Sequence, residues 1–216
     1  MTIVEELAAL GAFYGVAVDD FIAVHGPALA RYAEWVLARD AFAVVTLGDT
    51  ATLARYGSPT SASRLRSAAA RWPDAITGIK LDPTGREEPT LYVRPLCPWT
   101  EGIAWLEREV GPVAIPPSRT LYGLGFQGDV VKTYALAPDG FVSIRIAGEA
   151  VQLDHKDYRA DIAWDAIDWP DQRWTAIATL GHTLGFRTAG HVGDRAGERK
   201  IYVERVGAIA TDRSVA

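Results

Sequence analysis

The sequence predicts a mixed α+β fold: an antiparallel β-barrel or a strongly curved sheet, built from repeated α-β-β units with the helices packed outside. Three observations predict this fold. Amphipathic helical stretches alternate with pairs of short strands along the chain. Within each strand, apolar side chains alternate with polar ones. The composition, 49% hydrophobic and 23% charged over 216 residues, is typical of a globular protein. We therefore expect a single domain over residues 1–216.

The composition also excludes several partners and locations. The single cysteine, Cys97, can form no internal disulfide, and the N-terminus lacks the basic start and apolar run of a secretory signal. We therefore expect a cytoplasmic protein. No stretch approaches the ~20 apolar residues of a membrane helix, so no membrane partner is expected. The formal net charge is -5, so the chain lacks the overall excess of basic residues that is typical of a nucleic-acid binder. A bound anion must therefore meet a local cluster of cations.

Residues 1–40 predict N-terminal helices. Thr2 and Glu5 form a capping box in front of an apolar stripe at helical spacing. A second helix is predicted to start at Gly26-Pro27. Its apolar positions follow the i, i+3, i+4, i+7, i+8 pattern: Leu29, Tyr32, Ala33, Val36 and Leu37. The β-branched run at residues 42–47 then predicts a strand.

Three α-β-β units follow over residues 60–206. Each consists of one helix and two strands: helix 61–72 with strands 75–82 and 89–95, helix 99–110 with strands 120–126 and 130–137, and helix 170–180 with strands 183–188 and 199–206. An additional strand is predicted at residues 141–146 and another is weakly indicated at 150–153, which gives seven or eight strands in the repeats. Residues 155–169 allow no clear assignment.

The two faces of the predicted strands differ in chemistry. One face is uniformly apolar, as expected where helices pack on a sheet. The other carries cations interleaved with phenols: Lys80, Arg94, Lys132, Arg145 and Lys200, with Tyr92, Tyr134 and Tyr202. In an open sheet this is a solvated face that needs no further function. In a barrel the same side chains line a cavity and form an anion site at low dielectric.

A repeated tripeptide strengthens the second explanation. Lys132-Thr133-Tyr134 and Lys200-Ile201-Tyr202 occupy the second strand of successive units, and Tyr92-Val93-Arg94 occupies the equivalent strand with the order reversed. Side chains at i and i+2 of a strand point the same way, so an ammonium and a phenol can reach one phosphate oxygen. The pattern therefore favours a phosphate or diphosphate ligand.

The repeated units and this tripeptide resemble the aromatic prenyltransferases of the ABBA or PT-barrel type, over about residues 60–206. The resemblance implies transfer of a prenyl group from an allylic isoprenoid diphosphate to an aromatic small molecule. It implies that cations bind the diphosphate: Lys132, Lys200, Arg94, Arg145 and Lys80. It implies that tyrosines shield the prenyl cation: Tyr92, Tyr134 and Tyr202. The chain departs from the family in being shorter, with fewer predicted strands.

The proposed chemistry needs no metal. No Asp-Asp-x-x-Asp box is present, and cationic side chains can replace a metal at the diphosphate, so the pattern allows Mg²⁺ without requiring it. A base must remove a proton from the aromatic acceptor, and the carboxylates on the polar strand positions are, in order of preference, Glu88, Asp82 and Glu204. Each also qualifies as the ion partner of a neighbouring Lys or Arg.

Two other functions stay open. A non-catalytic protein could hold an anionic or aromatic metabolite in a reduced barrel, and a plain interaction domain could leave the cationic face in solvent. Other motifs are discounted. Gly123, Gly125 and Gly128 match Gly-x-Gly-x-x-Gly but lead into a strand, which disfavours a dinucleotide site. His182 and His191 with Asp194 could together ligate a metal, but an exposed loop is favoured, so no metal site is predicted.

Overall fold

The computed structural model describes residues 1–29, 31–112, 120–137, 140–147, 150–195 and 198–206. These residues form a mixed α+β protein with a large antiparallel sheet of eleven strands, which confirms the predicted class. Closure into a barrel and the three-fold α-β-β repeat are more specific than this class, and they stay predictions.

Six α-helices lie within the described residues: α1 (Ile3–Tyr14), α2 (Asp19–Leu29), α3 (Thr50–Leu53), α4 (Pro59–Arg71), α5 (Trp99–Val110) and α6 (Gln172–Thr183). The strands are β1 (Tyr32–Leu37), β2 (Phe42–Leu47), β3 (Ile76–Leu81), β4 (Thr90–Arg94), β5 (Cys97–Pro98), β6 (Thr120–Gln127), β7 (Val130–Ala137), β8 (Gly140–Ala147), β9 (Ala150–Ala163), β10 (Thr188–Arg195) and β11 (Glu198–Val206). No described helix is both long enough and apolar enough to cross a bilayer.

The chain divides into two compact units, each discontinuous in sequence. Unit 1 comprises Met1–Thr46, Leu81–Glu87 and Tyr158–Ala216. Unit 2 comprises Leu47–Lys80 and Glu88–Asp157. The expectation of a single domain stays a prediction.

In unit 1, α1 lies against an antiparallel ladder in the order β2-β1-β11-β10. The predicted capping box is confirmed: Thr2 Oγ1 accepts from Glu5 N, and Glu5 Oε2 accepts from Thr2 N. α1 carries one carboxylate into the core, because Glu6 is fully buried. Its oxygens accept hydrogen bonds from Trp35 Nε1 at 2.9 Å and Arg205 Nε at 3.0 Å.

In unit 2 the ladder order is β3-β4-β6-β7-β8-β9, with the short β5 also paired to β6. Helices α4 and α5 pack on one face of this ladder. Trp105 of α5 lies with its ring centroid 6.1 Å from that of Phe126. A Cβ on Gly102 would come within 2.5 Å of Leu121, so the absence of a side chain lets α5 approach β6 closely.

The second predicted N-terminal helix is wrong at both ends, because α2 begins at Asp19, with Pro27 inside it, and ends at Leu29. Residues 32–37 form β1, which pairs with β2 and β11. The spacing that fitted a helix also fits a strand, because Ala33, Trp35 and Leu37 alternate on one face and are buried. An aromatic and β-branched run packs well in a sheet, and cross-strand pairing decided between the two readings.

The strand predicted at residues 183–188 is also wrong. Helix α6 continues to Thr183, and β10 begins only at Thr188. Threonine favours strands, but Thr179 and Thr183 donate their hydroxyls to the carbonyls four residues earlier, which accommodates them in the helix. Gly185, at φ 76°, takes the left-handed conformation that follows the helix end.

Candidate functional site

One face of the unit 2 ladder collects the cations and tyrosines that were predicted as site residues within that unit. Antiparallel pairing aligns one row across five strands, in the order Gly78, Tyr92, Gly125, Lys132 and Arg145. Arg94 pairs with Ile76, and Tyr134 pairs with Gly123, on the same side. Lys80 pairs with Thr90, also on this side. We call this surface of unit 2 the polar face.

The residues that alternate with the polar face are buried on the helix side. They include Leu91, Val93, Val131, Ala135 and Ile144. The period-two pattern of the sequence therefore sorts the side chains into an apolar layer under α4 and α5 and a cationic, phenolic layer opposite. The register, rather than any single contact, assigns each residue to its layer.

A β-bulge brings a third tyrosine to the polar face. The pairing between β6 and β7 shifts between Leu121 and Gly123, at Tyr122. The guanidinium carbon of Arg94 lies 4.5 Å from the centroid of the Tyr122 ring. Bulges commonly re-aim one side chain in this way. The result is a cation–π pair between Arg94 and Tyr122.

Arg94 carries an unused donor. Among the described residues, its buried Nε has no hydrogen-bond partner. Buried donors are nearly always satisfied, and leaving one unmade costs about 1–3 kcal/mol. A ligand oxygen at this position would satisfy the donor, and a guanidinium binds a phosphate or carboxylate group through two parallel hydrogen bonds.

Two tyrosine rings on the polar face lie next to the glycines Gly123 and Gly125 of β6. The rings of Tyr92 and Tyr134 have centroids 6.1 Å apart and are tilted by 43°. A Cβ on Gly125 would come within 3.0 Å of Tyr92 Cε1, so the ring of Tyr92 occupies the space that a side chain at Gly125 would fill. A Cβ on Gly123 would make only ordinary contacts, the nearest at 3.5 Å.

The cations Lys132 and Arg145 are cross-strand neighbours on this face. Like charges placed directly opposite each other repel, and a bound anion would relieve that repulsion. Lys132 Nζ donates to Gln127 Oε1 at 2.7 Å, and Gln127 Nε2 donates to Glu88 O at 2.8 Å. These hydrogen bonds hold the Lys132 side chain at a defined position within the row, next to Gly125.

The remaining predicted cation and tyrosine lie in unit 1. Lys200 and Tyr202 alternate with the buried Ile201 and Val203 of β11. The ring of Tyr202 stacks on that of His191 of β10, with centroids 3.7 Å apart. Lys200 Nζ lies 3.8 Å from Glu198 Oε2. The sequence predicted Lys200 and Tyr202 at positions equivalent to those of Lys132 and Tyr134. In the structure, they share a sheet face of unit 1 with His191.

The three carboxylates predicted as bases have separate local roles. Glu88 Oε1 accepts from Ser58 N, at the start of α4. Asp82 accepts from Thr84 N, Arg86 N and Glu87 N in the turn after β3. Partial burial opposes ionisation of Asp82, but these hydrogen bonds outweigh it and lower its pKa.

A lowered pKa makes Asp82 a weak proton acceptor near neutral pH. Glu204 is exposed and pairs across β1 and β11 with Glu34. Of the three carboxylates, Glu88 alone belongs to unit 2. The predicted order of preference, with Glu88 first, stays a prediction.

Other features of the described residues lie apart from these side chains. In unit 1 an open depression of about 410 Å³ is lined by Arg39, Asp171, Gln172, Arg173 and Ala176. The Gly-x-Gly-x-x-Gly pattern lies in the β6–β7 hairpin, with Gly128 at φ 56° in the turn, as the strand context predicted. Within the described part of the chain, no cluster of three or more His, Cys, Asp or Glu side chains could hold a metal.

Three residues of interest escaped the sequence reasoning. Tyr122 was missed because the bulge that exposes it left only a weak sequence signal, the glycines in a predicted strand. Gln127 was missed because it was counted as part of a turn. Lys156, in the third Lys-x-Tyr tripeptide Lys156-Asp157-Tyr158, was missed because it lay in the unassigned segment. That segment forms β9, in which Lys156 pairs with Phe141.

Comparison of the chain with models of protein families, with curated proteins and with solved structures finds no match. The family resemblance therefore rests on the residues described above.

Proposed function

We propose that the polar face of unit 2 binds the diphosphate of an allylic isoprenoid, and that the protein transfers the prenyl group to an aromatic small molecule. The observation that carries the proposal is the Arg94 side chain, whose guanidinium is supported by Tyr122 while its buried Nε lacks a partner among the described residues. A fixed guanidinium with a vacant donor suits a phosphate oxygen.

The neighbouring residues suit the rest of such a ligand. Lys132, beside Arg145, adds positive charge for the leaving diphosphate. The rings of Tyr92 and Tyr134 offer π faces that attract a carbocation. Ile76, paired with Arg94, is a large apolar residue with 47% of its surface exposed on this face. Cationic, aromatic and apolar groups together match an amphiphilic anion better than an inorganic one.

In the proposed reaction the allylic C–O bond breaks and its electron pair leaves with the diphosphate, where Arg94 and Lys132 stabilise the added charge. The prenyl carbocation then forms a C–C bond with the electron-rich ring of the acceptor. A base takes the proton that the ring loses, and Glu88 is the proposed base. The two lysines and tyrosines of the tripeptides, including Lys200 and Tyr202, have the same proposed roles in their own units. Neither Mg²⁺ nor another cofactor is required by this scheme.

We also propose that curvature of the sheet, up to closure into a barrel, shelters the polar face. Two features of the topology support this proposal. The strand β4 pairs on both of its edges, with β3 and with β6, so it is an interior strand, as both an open curved sheet and a barrel require. Helix–strand–strand order occurs in α4-β3-β4 and α6-β10-β11, and in α5-β6-β7, as expected of a repeated unit.

A second candidate function is binding without turnover. The positions of the carboxylates favour it, because Asp82 is engaged by its own turn and Glu88 by the backbone of Ser58. A protein without a free base could hold an anionic or aromatic metabolite on the same face.

Calorimetry with dimethylallyl and geranyl diphosphate, with and without Mg²⁺, separates the two candidates when combined with a search for prenylated products from aromatic acceptors. Binding with a product supports the transferase. Binding without a product, for every acceptor tested, supports the second candidate. If neither diphosphate binds, both proposals fail and the polar face is a solvated surface.

A further inference from the structure

Two large apolar side chains lie exposed on the polar face beside Arg94. Ile76 of β3 is the cross-strand neighbour of Arg94 and keeps 47% of its surface exposed. Leu47, the first residue of unit 2, is 38% exposed. Apolar residues scattered singly over a surface are normal, whereas adjacent ones form a patch that can bind a ligand. The exposed fractions also show that space is open at both side chains.

Backbone hydrogen bonding places Leu47 next to Ile76. Gly48 N donates to Thr77 O at 3.3 Å, and the Thr77 hydroxyl donates to Gly48 O. Thr77 pairs with the buried Val93, so it belongs to the helix side of unit 2. Because side chains alternate along a strand, the residues that precede Gly48 and Thr77 both belong to the polar face. Residues in this relation are diagonal neighbours, roughly 7–8 Å apart.

The guanidinium of Arg94 leans away from this apolar pair. Its carbon lies 4.5 Å from the centroid of the Tyr122 ring of β6. Strand β6 flanks β4 on the edge opposite to β3, so the arginine side chain leaves Ile76 uncovered. The buried Nε of Arg94 has no hydrogen-bond partner among the described residues. A ligand oxygen bound at this Nε would leave the rest of the ligand facing Ile76.

We propose that Ile76 and Leu47 bind the apolar chain of the diphosphate ligand and make the protein prefer a geranyl chain to a dimethylallyl chain. This inference rests on the proposed function. Ile76 is the direct neighbour of Arg94, so it contacts the first isoprene unit of either chain. Leu47 lies one strand further from Arg94, so only a chain of two isoprene units reaches it. Each contact removes apolar surface from water, and the longer chain gains both.

The test uses Ile76→Thr and Leu47→Thr in the full chain, with calorimetric titration of inorganic diphosphate, dimethylallyl diphosphate and geranyl diphosphate. Threonine is β-branched and suits a strand, so these substitutions remove apolar surface without disfavouring β structure. The matched control is Val24→Thr, which makes the same kind of change at a residue of α2 that is 60% exposed. Since all three side chains are exposed, thermal unfolding should stay close to that of the parent protein.

We expect inorganic diphosphate to bind every variant as it binds the parent protein, because it makes no contact with the apolar pair. In Ile76→Thr the affinities of both prenyl diphosphates, relative to inorganic diphosphate, should fall, that of geranyl diphosphate by about tenfold. In Leu47→Thr the geranyl affinity should fall by about tenfold while the dimethylallyl affinity stays unchanged. Val24→Thr should change no affinity.

The failure of this inference is distinguishable from the failure of the proposed function. If Ile76→Thr or Leu47→Thr keeps the relative affinities of the parent protein, the inference is overturned and the proposed function stands. If the parent protein binds neither prenyl diphosphate, both are overturned.

Discussion

The guanidinium of Arg94 and the ring of Tyr122 form a cation–π pair, with the guanidinium carbon of Arg94 4.5 Å from the ring centroid. The pair exists because a β-bulge in β6 turns Tyr122 toward the strand that carries Arg94. A cation–π contact of this kind helps to hold the guanidinium in place. One of its donors, Nε, has no partner within the described chain. A preorganised cation with a vacant donor is the feature from which the functional proposals begin.

The buried Glu6 of α1 is predicted to stabilise unit 1 through its charge. Substitution Glu6→Gln keeps the shape and can still accept from Trp35, but it leaves the Arg205 guanidinium without a carboxylate partner. Because the Arg205 side chain is 30% exposed and can be hydrated, we expect a loss of about 2 kcal/mol, less than a fully buried pair would lose. Urea unfolding at neutral pH measures the change.

The matched control for Glu6→Gln is Asp40→Asn. The side chain of Asp40 is 80% exposed, and the substitution removes an ion partner of Arg39. Its expected cost is below about 0.5 kcal/mol. If both substitutions lowered the free energy of unfolding equally, the burial of Glu6 would not explain how much its ion pair stabilises unit 1.

We predict that a substitution at Thr133 of β7 can stabilise the folded protein. Its hydroxyl is buried on the helix side of unit 2 and has no hydrogen-bond partner in the described structure. Valine has the same shape without the polar atom, so Thr133→Val should raise the free energy of unfolding by about 1 kcal/mol. Thr133→Ser, which keeps the hydroxyl and removes the methyl group, should lower it. Denaturant unfolding of both variants decides the matter, and a destabilised Thr133→Val would contradict the account of this position.

Much of unit 2 follows from local sequence. The helix at Trp99–Val110 and the strand at Val130–Ala137 have their predicted bounds, because periodicity and turn residues both mark their ends. The alternation within β4, β7 and β8 also predicts which residues share the polar face. These features depend only on neighbours a few positions apart along the chain.

Features set by distant pairing were not predictable in the same way. Residues 32–37 became a strand because β2 and β11 flank them, and β11 lies more than 160 residues away along the chain. The Tyr122 contact depends on a one-residue shift of register between two strands. The role of Asp82 depends on the turn that it closes. None of these contacts leaves a signal in the local pattern of residues.

Cys97 is predicted to react slowly with thiol reagents. Burial, together with the nearby charge of Glu101, raises the pKa of its thiol from 9.0 to about 11. At pH 8 the folded protein should therefore react far more slowly with iodoacetamide than the urea-unfolded protein does. The raised pKa also means that the folded state loses stability as the pH rises from 9 toward 11. Native labelling at pH 8 at the rate of a free thiol would contradict this assignment.

Asp82 is predicted to stabilise its turn in a pH-dependent manner. Partial burial acts against ionisation, but hydrogen bonds from Thr84, Arg86 and Glu87 lower the pKa below its usual 3.8. The stabilisation is therefore present above pH about 4 and is lost as the pH falls through the lowered pKa. Asp82→Asn should be destabilised relative to the parent at pH 7, with the difference shrinking toward pH 3. Unfolding curves across this range measure it.

The control for the Asp82 measurement is Asp74→Asn, an exposed residue of unit 2. Its difference from the parent protein should be small at every pH. A constant deficit for Asp82→Asn between pH 7 and pH 3 would show that the carboxylate charge does not hold the turn.

The central claim is that cations on the polar face of unit 2 bind a diphosphate. The most direct measurement is calorimetric titration of geranyl diphosphate into the parent protein, Lys132→Ala, and the control Arg66→Ala, which removes an exposed cation from α4. We predict that Lys132→Ala weakens binding by about 1–3 kcal/mol while remaining folded, and that Arg66→Ala binds as the parent does. Unchanged affinity in Lys132→Ala, or an equal loss in both variants, would contradict the claim.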